Sequence, residues 1–215
     1  MDRLIIVGAG GSGRETLDIV EAINGPDRVF EFLGFVDDGD AVDLDLLRRR
    51  GAPLLGGVEL LRDLDAAYVI AIGSGSARRA LDAKLSAWGR IPVSLVHPAA
   101  SIASEVSLGP GAIITAGAKL TTNIRTGRHL HANLHATVSH DCVLGDYVTL
   151  NPGVHVAGNV ILGDEVTCGI GAVIIQGRTI GARTTIGAGA VVVHDIAPGV
   201  TAVGVPAVPL PDRMR

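Results

Sequence analysis

From Val96 to Val192 every sixth residue belongs to one apolar column: fourteen of these seventeen positions are Val, Ile or Leu, and the register never slips. The stretch 96–197 holds only 31 residues of those three types, so an even spread would put about five in each of the six phases. The third residue after each column member is never one of them. A second small or branched residue follows four positions after each column member except Ile174, which Arg178 follows. Gly109, Gly127, Gly145, Gly163 and Gly181 recur eighteen apart, each directly after a column residue. Three hexads therefore make one structural turn. The spacing predicts a parallel β-helix of five to six coils: a three-sided prism whose sides are short strands and whose corners are glycine or polar. A single coil cannot bury its apolar face and must stack on its neighbours. An α-helix is excluded, because the glycines at the second and fourth hexad positions would each cost about 1 kcal/mol in a helix interior, and six matches neither 3.6 nor seven.

Before residue 96 the pattern changes. Leu4–Val7 is a short apolar run followed by Gly8-Ala9-Gly10-Gly11-Ser12-Gly13 and a helical stretch at 14–23. A second strand is predicted at Phe30–Val36, ending in Asp37-Asp38. A third, at Tyr68–Ile72, runs into Gly73-Ser74-Gly75-Ser76 and a helix over 77–88. Strand, glycine turn, helix is the context in which backbone N–H groups can cradle a phosphate. Ninety-five residues are few for two mononucleotide halves, so the reading is a small Rossmann-like α/β domain over 1–95 that holds one nucleotide diphosphate at the carboxyl ends of its strands. Asp37 and Asp38 stand where hydroxyl or amide groups would be read, or else form a solvated turn. The alternative role for the glycines is a tight turn and close packing. Leu95-Val96-His97-Pro98 leads into the first hexad without a linker, and the prism with its C-terminal tail occupies 96–215.

Composition narrows the function. Of 215 residues, 47% are hydrophobic and 19% charged, which suits folded domains with proper cores. Residues 1–95 carry 15 acids and 11 bases and 96–215 carry seven of each, giving the net −4. No basic face is available, and Tyr147 is the only Phe, Tyr or Trp after residue 95, so nucleic acid is not an expected partner. Cys142 and Cys168 occupy inward hexad positions and read as reduced core residues. The N-terminal apolar run of four is too short for a signal-peptide core or a membrane span, so the expected location is cytoplasmic.

Five of the seven histidines lie between 129 and 155. His140, beside Asp141 in Ser139-His140-Asp141-Cys142, is the candidate general base: an imidazole suits proton transfer near neutral pH, and an adjacent carboxylate orients it. Eighteen-residue steps carry its column through Thr122, His140, Gly158, Gln176 and His194. A glycine one coil from a base leaves room for a reacting carbonyl near a backbone N–H. A second reading takes His97, His135 and His140 as a three-histidine zinc site like that of the gamma-class carbonic anhydrases. It leaves Gly8–Gly13 unexplained. In a third, His129, His131, His135 and His155 are corner or outward residues, solvated or hydrogen-bonded between coils.

Across nearly its whole length the chain resembles the bacterial hexapeptide-repeat sugar acyltransferases of the sialic-acid O-acetyltransferase and nucleotide-aminosugar N-acetyltransferase type. The resemblance rests on the order and spacing of IIVGAGGSGRE, GFVDD, IAIGSGSARR, SLVHPAASI, SHDCVLGDY, AGNVILGD and GVPA. It implies a left-handed β-helix, an exception to the usual right-handed crossover. It also implies homotrimers with active sites between subunits, acetyl-CoA as co-substrate, a nucleotide-linked sugar as acceptor, and no metal. By the resemblance His140 is the base, Asp141 its partner and Gly158 the donor to the acetyl carbonyl oxygen. Ile170, Ala188 and Gly189, with Gly158, would line the pantetheine arm, and Gly10, Gly11, Ser12, Asp37, Asp38 and Gly73 the nucleotide pocket. Two positions depart from the family pattern. Ser12 replaces a histidine common in the glycine loop, and Thr149 replaces a second histidine common in aminosugar enzymes, which leaves a hydroxyl acceptor or another amino sugar open. A non-catalytic, nucleotide-sensing trimeric scaffold is the remaining alternative.

Overall fold

The structure is a computed structural model and describes residues 1–25, 27–39 and 42–211. It divides into two compact units, Met1–Pro98 and Ala99–Arg215.

The first unit is a four-stranded parallel sheet flanked by helices. Its elements run β1 (Asp2–Val7), α1 (Gly11–Asn24), β2 (Phe30–Val36), α2 (Leu44–Arg50), β3 (Leu54–Gly56), a 3₁₀ turn (Val58–Arg62), β4 (Ala67–Ile70) and α3 (Gly75–Ala87). Strand order is β3-β2-β1-β4, with every pairing parallel. Leu4, Ile5, Ile6 and Val7 are all fully buried, as befits a central strand covered on both faces. Three elements, α2, β3 and the 3₁₀ turn, go beyond the expectation from sequence. α2 carries ordinary boundary signals: Asp43 caps the Asp45 and Leu46 N–H groups through its side chain, Arg48–Arg50 fill the last turn, and Gly51 closes it in the left-handed conformation. The helix α1 begins three residues earlier than expected, so Gly11 and Gly13 lie in its first turn rather than in the loop.

The second unit is the predicted prism, a left-handed parallel β-helix. One face stacks Val106–Ser107, Ile124–Thr126, Val143–Leu144, Ile161–Leu162 and Thr179–Ile180. A second carries Ile113–Ile114, His131–Ala132, Thr149–Leu150, Thr167–Cys168, Thr185–Ile186 and Thr201–Val203, with Val208–Pro209 added antiparallel. The third runs from Ser101–Ile102 to Val191–Val192. Strands pair at a spacing of eighteen residues, for example Thr137 with His155, until Thr185 meets Thr201 at sixteen. From Ile114 to Val192 the sixfold column is buried except at the half-buried Thr126, and the small residues four positions later, such as Ala136, Cys142 and Val154, are fully buried beside it.

The phase without aliphatic residues now has a physical cause. Glu105, Asn123, His129, His135, Asp141, Tyr147, Asn159, Glu165 and Arg183 all have φ between 52° and 58° or up to 62°, and the glycines of the same phase are left-handed too. These are the corners, where the chain turns through a backbone region that branched residues avoid. From His129 to Gly189 each corner N–H is held by the carbonyl nineteen positions earlier, as in Asp141 N–H to Thr122 O at 3.1 Å and Asn159 N–H to His140 O at 2.9 Å. The glycines spaced by eighteen serve a different need. A Cβ on Gly109 would lie 2.3 Å from the Gly127 carbonyl oxygen, and one on Gly181 would lie 2.3 Å from Pro198 N. At these sites the next coil passes too close for any side chain.

Candidate active site

His140 occupies the corner position just before the left-handed Asp141. Its Nδ1 lies 2.7 Å from Asp141 Oδ2, and the Asn123 side-chain amide donates to Asp141 Oδ1 at 3.1 Å. The carboxylate thus has one oxygen turned to the imidazole and the other to an amide one coil earlier. The imidazole hydrogen bond, followed by that of Asn123, holds the Asp141 carboxyl below its ordinary range. An ionised carboxylate on Nδ1 keeps the proton there and leaves the Nε2 lone pair free to accept one.

The ring lies across the next coil. A Cβ added to Gly158 would meet His140 Cε1 at 2.5 Å and Nε2 at 2.6 Å, so the eighteen-residue column does bring these two residues together. Asn123, absent from the sequence reading, is found by stepping eighteen back from Asp141. The Gly158 N–H donates to no partner among the described residues, whereas the corner N–H groups of Arg128 and Asp146 are capped by the carboxylates of Asp146 and Asp164 at 2.8 and 2.9 Å. An open groove of about 440 Å³, lined by Glu105, Asn123, Arg125, Asp141 and Val143, borders the far side of the carboxylate.

Ile170, Ala188 and Gly189 stand at a different corner of the triangle, because their offsets from His140, 30, 48 and 49 residues, are not multiples of eighteen. Ile170 is 62% exposed, its carbonyl accepts from the Gly189 N–H at 2.8 Å, and a Cβ on Gly189 would meet nothing. One chain does not gather them around His140. Among the other histidines, His129 is buried and stacked on Tyr147 with ring centroids 5.7 Å apart, and His131 is buried in its strand. His155 meets the Thr137 hydroxyl at 2.9 Å. Among the described residues no three His, Cys, Asp or Glu side chains cluster as a metal site. Thr149 is buried and pairs with His131 and Thr167.

In the front unit the strand order reverses beside β1, which places the switch point at the carboxyl ends of β1 and β4. The glycines there divide into two kinds. A Cβ on Gly13 would fall 1.9 Å from the Gly8 carbonyl oxygen, and Gly8, at φ +103°, would strike Ala71 O at 2.9 Å. Gly10, Gly11 and Gly73 face open space. α1 has no side-chain cap and no acid in its first turn, so its leading N–H groups are unsatisfied. Asp37 accepts from Ala9 N–H at 2.7 Å and Gly39 N–H at 2.8 Å, and Asp38 accepts from Val58 N–H at 2.8 Å. Asp37 therefore braces the glycine loop, and Asp38 braces the start of the 3₁₀ turn. No helix among the described residues is long and apolar enough to cross a membrane.

Residues 3–85 match the family of PglD N-terminal domains. Over 160 residues the chain is 34% identical to GDP-perosamine N-acetyltransferase from Escherichia coli O157:H7, an overlap of 69% of this chain and 66% of that relative, just under two thirds of its length. The structure of PerB from Caulobacter crescentus in complex with CoA and GDP-perosamine matches with a TM-score of 0.88 at 31% identity, over 98% of both chains. The acetyltransferase domain of PglB from Neisseria gonorrhoeae FA1090 in complex with acetyl coenzyme A matches with a TM-score of 0.88 at 33% identity, over 97% of this chain and 99% of that domain. The chain belongs to the hexapeptide-repeat family of acetyl-CoA-dependent sugar N-acetyltransferases.

Proposed function

We propose that the chain moves the acetyl group of acetyl-CoA to the amine of a nucleotide-linked sugar, with His140 as general base. One observation carries this reading: an imidazole tied to a carboxylate through Nδ1 lies with its free Nε2 across a glycine whose N–H is unpaired. The amine attacks the thioester carbonyl, and Nε2 takes the amine proton as the C–N bond forms. The Gly158 N–H donates to the oxyanion. Collapse of the tetrahedral intermediate breaks the C–S bond, and the imidazolium returns its proton to the departing thiolate. Base catalysis contributes typically 10²–10⁴-fold and one oxyanion donor about 10²–10³-fold. No covalent acyl-enzyme is required.

The nucleotide end of the acceptor is assigned to the uncapped start of α1 and to the open Gly10, Gly11 and Gly73, with Ser12, Asp37 and Asp38 at the rim. Ile170, Ala188 and Gly189, on another corner, are assigned to the pantetheine arm of a neighbouring copy's acetyl-CoA, which makes the working assembly a homotrimer with sites between subunits. The reaction is assigned to the cytoplasm. Relatives that act on amines favour N-acetylation over the hydroxyl alternative that Thr149 raised.

Thiol release from acetyl-CoA, measured against nucleotide-linked amino and hydroxy sugars and beginning with GDP-perosamine, tests the proposal. Release with an amino sugar is expected. Nucleotide binding without release would replace it with the scaffold reading, and stoichiometric zinc with carbon dioxide hydration would replace it with the anhydrase reading. Asn123→Ala is expected to lower kcat about threefold, the scale of one exposed hydrogen bond, with the KM for acetyl-CoA unchanged in the same assay.

A further inference from the structure

Cys142 is buried two residues from the proposed base and takes no part in the chemistry above. We propose that it is a positioning residue for acetyl transfer: its thiol fixes the Ala157–Gly158 peptide so that the Gly158 N–H faces the reacting carbonyl. The inference rests on the oxyanion role assigned to Gly158.

Cys142 Sγ donates to the Ala157 carbonyl oxygen at 3.1 Å and lies 3.6 Å from the His140 carbonyl oxygen. One sulfur therefore touches the backbone of the base and the peptide that carries the oxyanion donor. That peptide is trans. In a planar trans peptide the C=O and N–H point in opposite directions. Cys142 sits inside the prism, fully buried, so a carbonyl aimed at its thiol turns the Gly158 N–H outward, to the side where the His140 ring lies.

The turns at the corner one face earlier are closed by their own backbone. Turns 133–136, 151–154 and 169–172 close on themselves through Ala136, Val154 and Ala172 N–H bonds to the carbonyls of Asn133, Asn151 and Gly169, at 2.9, 3.2 and 3.1 Å. At the corner that holds 157–160, the turns 121–124, 139–142, 157–160 and 175–178 form no such bond among the described residues. In the 157–160 turn the leading carbonyl accepts from the thiol. One coil to either side the same inward position is Ile124 or Val160, which pack but cannot donate. Cysteine supplies similar packing and a donor. Burial raises the thiol's pKa, so the donor proton stays on sulfur. A bond to the carbonyl also polarises the N–H of the same peptide and strengthens it as a donor.

The test compares Cys142→Ser, Cys142→Ala and Cys142→Val in the full chain with His140→Ala, reading kcat, the KM for acetyl-CoA and thermal unfolding. Serine and alanine differ only by the donor, and valine restores the aliphatic bulk of the column. Ala and Val are expected to lower kcat about tenfold with the KM for acetyl-CoA within twofold, and Ser to recover kcat to within about twofold of the native chain. Folded Ala and Val variants with full kcat beside an inactive His140→Ala would overturn the positioning role alone. Full kcat in His140→Ala would instead overturn the catalytic reading beneath it. Because Ser and Ala leave the same small volume, a fold that rejects valine still yields the decisive pair.

Discussion

Replacing His140 with alanine is expected to lower kcat about 10³-fold, within the range that general bases supply, while acetyl-CoA binding and thermal unfolding stay close to native. The side chain is 57% exposed and rests on the Gly158 coil rather than in the core, so the variant is expected to fold. Its loss removes the only imidazole that lies on Gly158. Asp141→Asn probes the same geometry more finely. Asn123 already donates its amide to Asp141 Oδ1, so an asparagine at 141 would turn its oxygen toward Asn123 and its NH₂ toward His140 Nδ1. That donor would force the imidazole proton onto Nε2, the atom that must accept one. Turnover is expected to fall on the order of 10²-fold through the wrong tautomer rather than through a lost contact. Single-turnover thiol release with both variants checks the two expectations: a near-native rate in His140→Ala would remove His140 from the reaction, and one in Asp141→Asn would remove the orienting role of Asp141.

The prism was legible because its constraint repeats. Every coil meets the same two demands, an aliphatic residue inside and a left-handed residue at the corner, so the column of Val, Ile and Leu and the phase that lacks them state the same fact twice. The site was legible where it follows that period. His140 and Gly158 stand eighteen apart and meet, and Asn123 lay equally in reach of the same arithmetic. What period alone cannot give is which corner groups remain unpaired, since that depends on side chains such as Asp146 and Asp164 capping some corners and not others. The front unit has no repeat to average over. β1 and β2 are apolar enough to stand out, whereas α2, β3 and the 3₁₀ turn are short and half-exposed, and their stability comes from caps and from Asp38 rather than from a hydrophobic stripe. Asp37 and Asp38 show the same limit. Their place after a strand suggested ligand contacts, but spacing gave no sign that they also brace the loop and the turn beside it.

The two kinds of glycine in that loop yield the second large effect. Gly13→Ala is expected to unfold or displace the front unit, lowering its stability by about 3 kcal/mol or more, because the new Cβ would sit 1.9 Å from the Gly8 carbonyl oxygen, and both atoms belong to backbone held by α1 and β1. Relief requires α1 to move off the sheet, exposing Leu17 and Val20, which are buried beneath it. Gly11→Ala makes the opposite case. Its Cβ meets nothing within 4 Å, and alanine is the better helix former, so stability should hold or rise slightly. What it takes away is the close approach of a phosphate to the first N–H groups of α1. The KM for the nucleotide-linked acceptor is expected to rise about tenfold, with kcat and the KM for acetyl-CoA unchanged. Chemical unfolding of both variants, together with acceptor kinetics of Gly11→Ala, separates packing from binding. If Gly11→Ala leaves acceptor KM at its native value, the open glycines serve the turn alone and the nucleotide is held elsewhere.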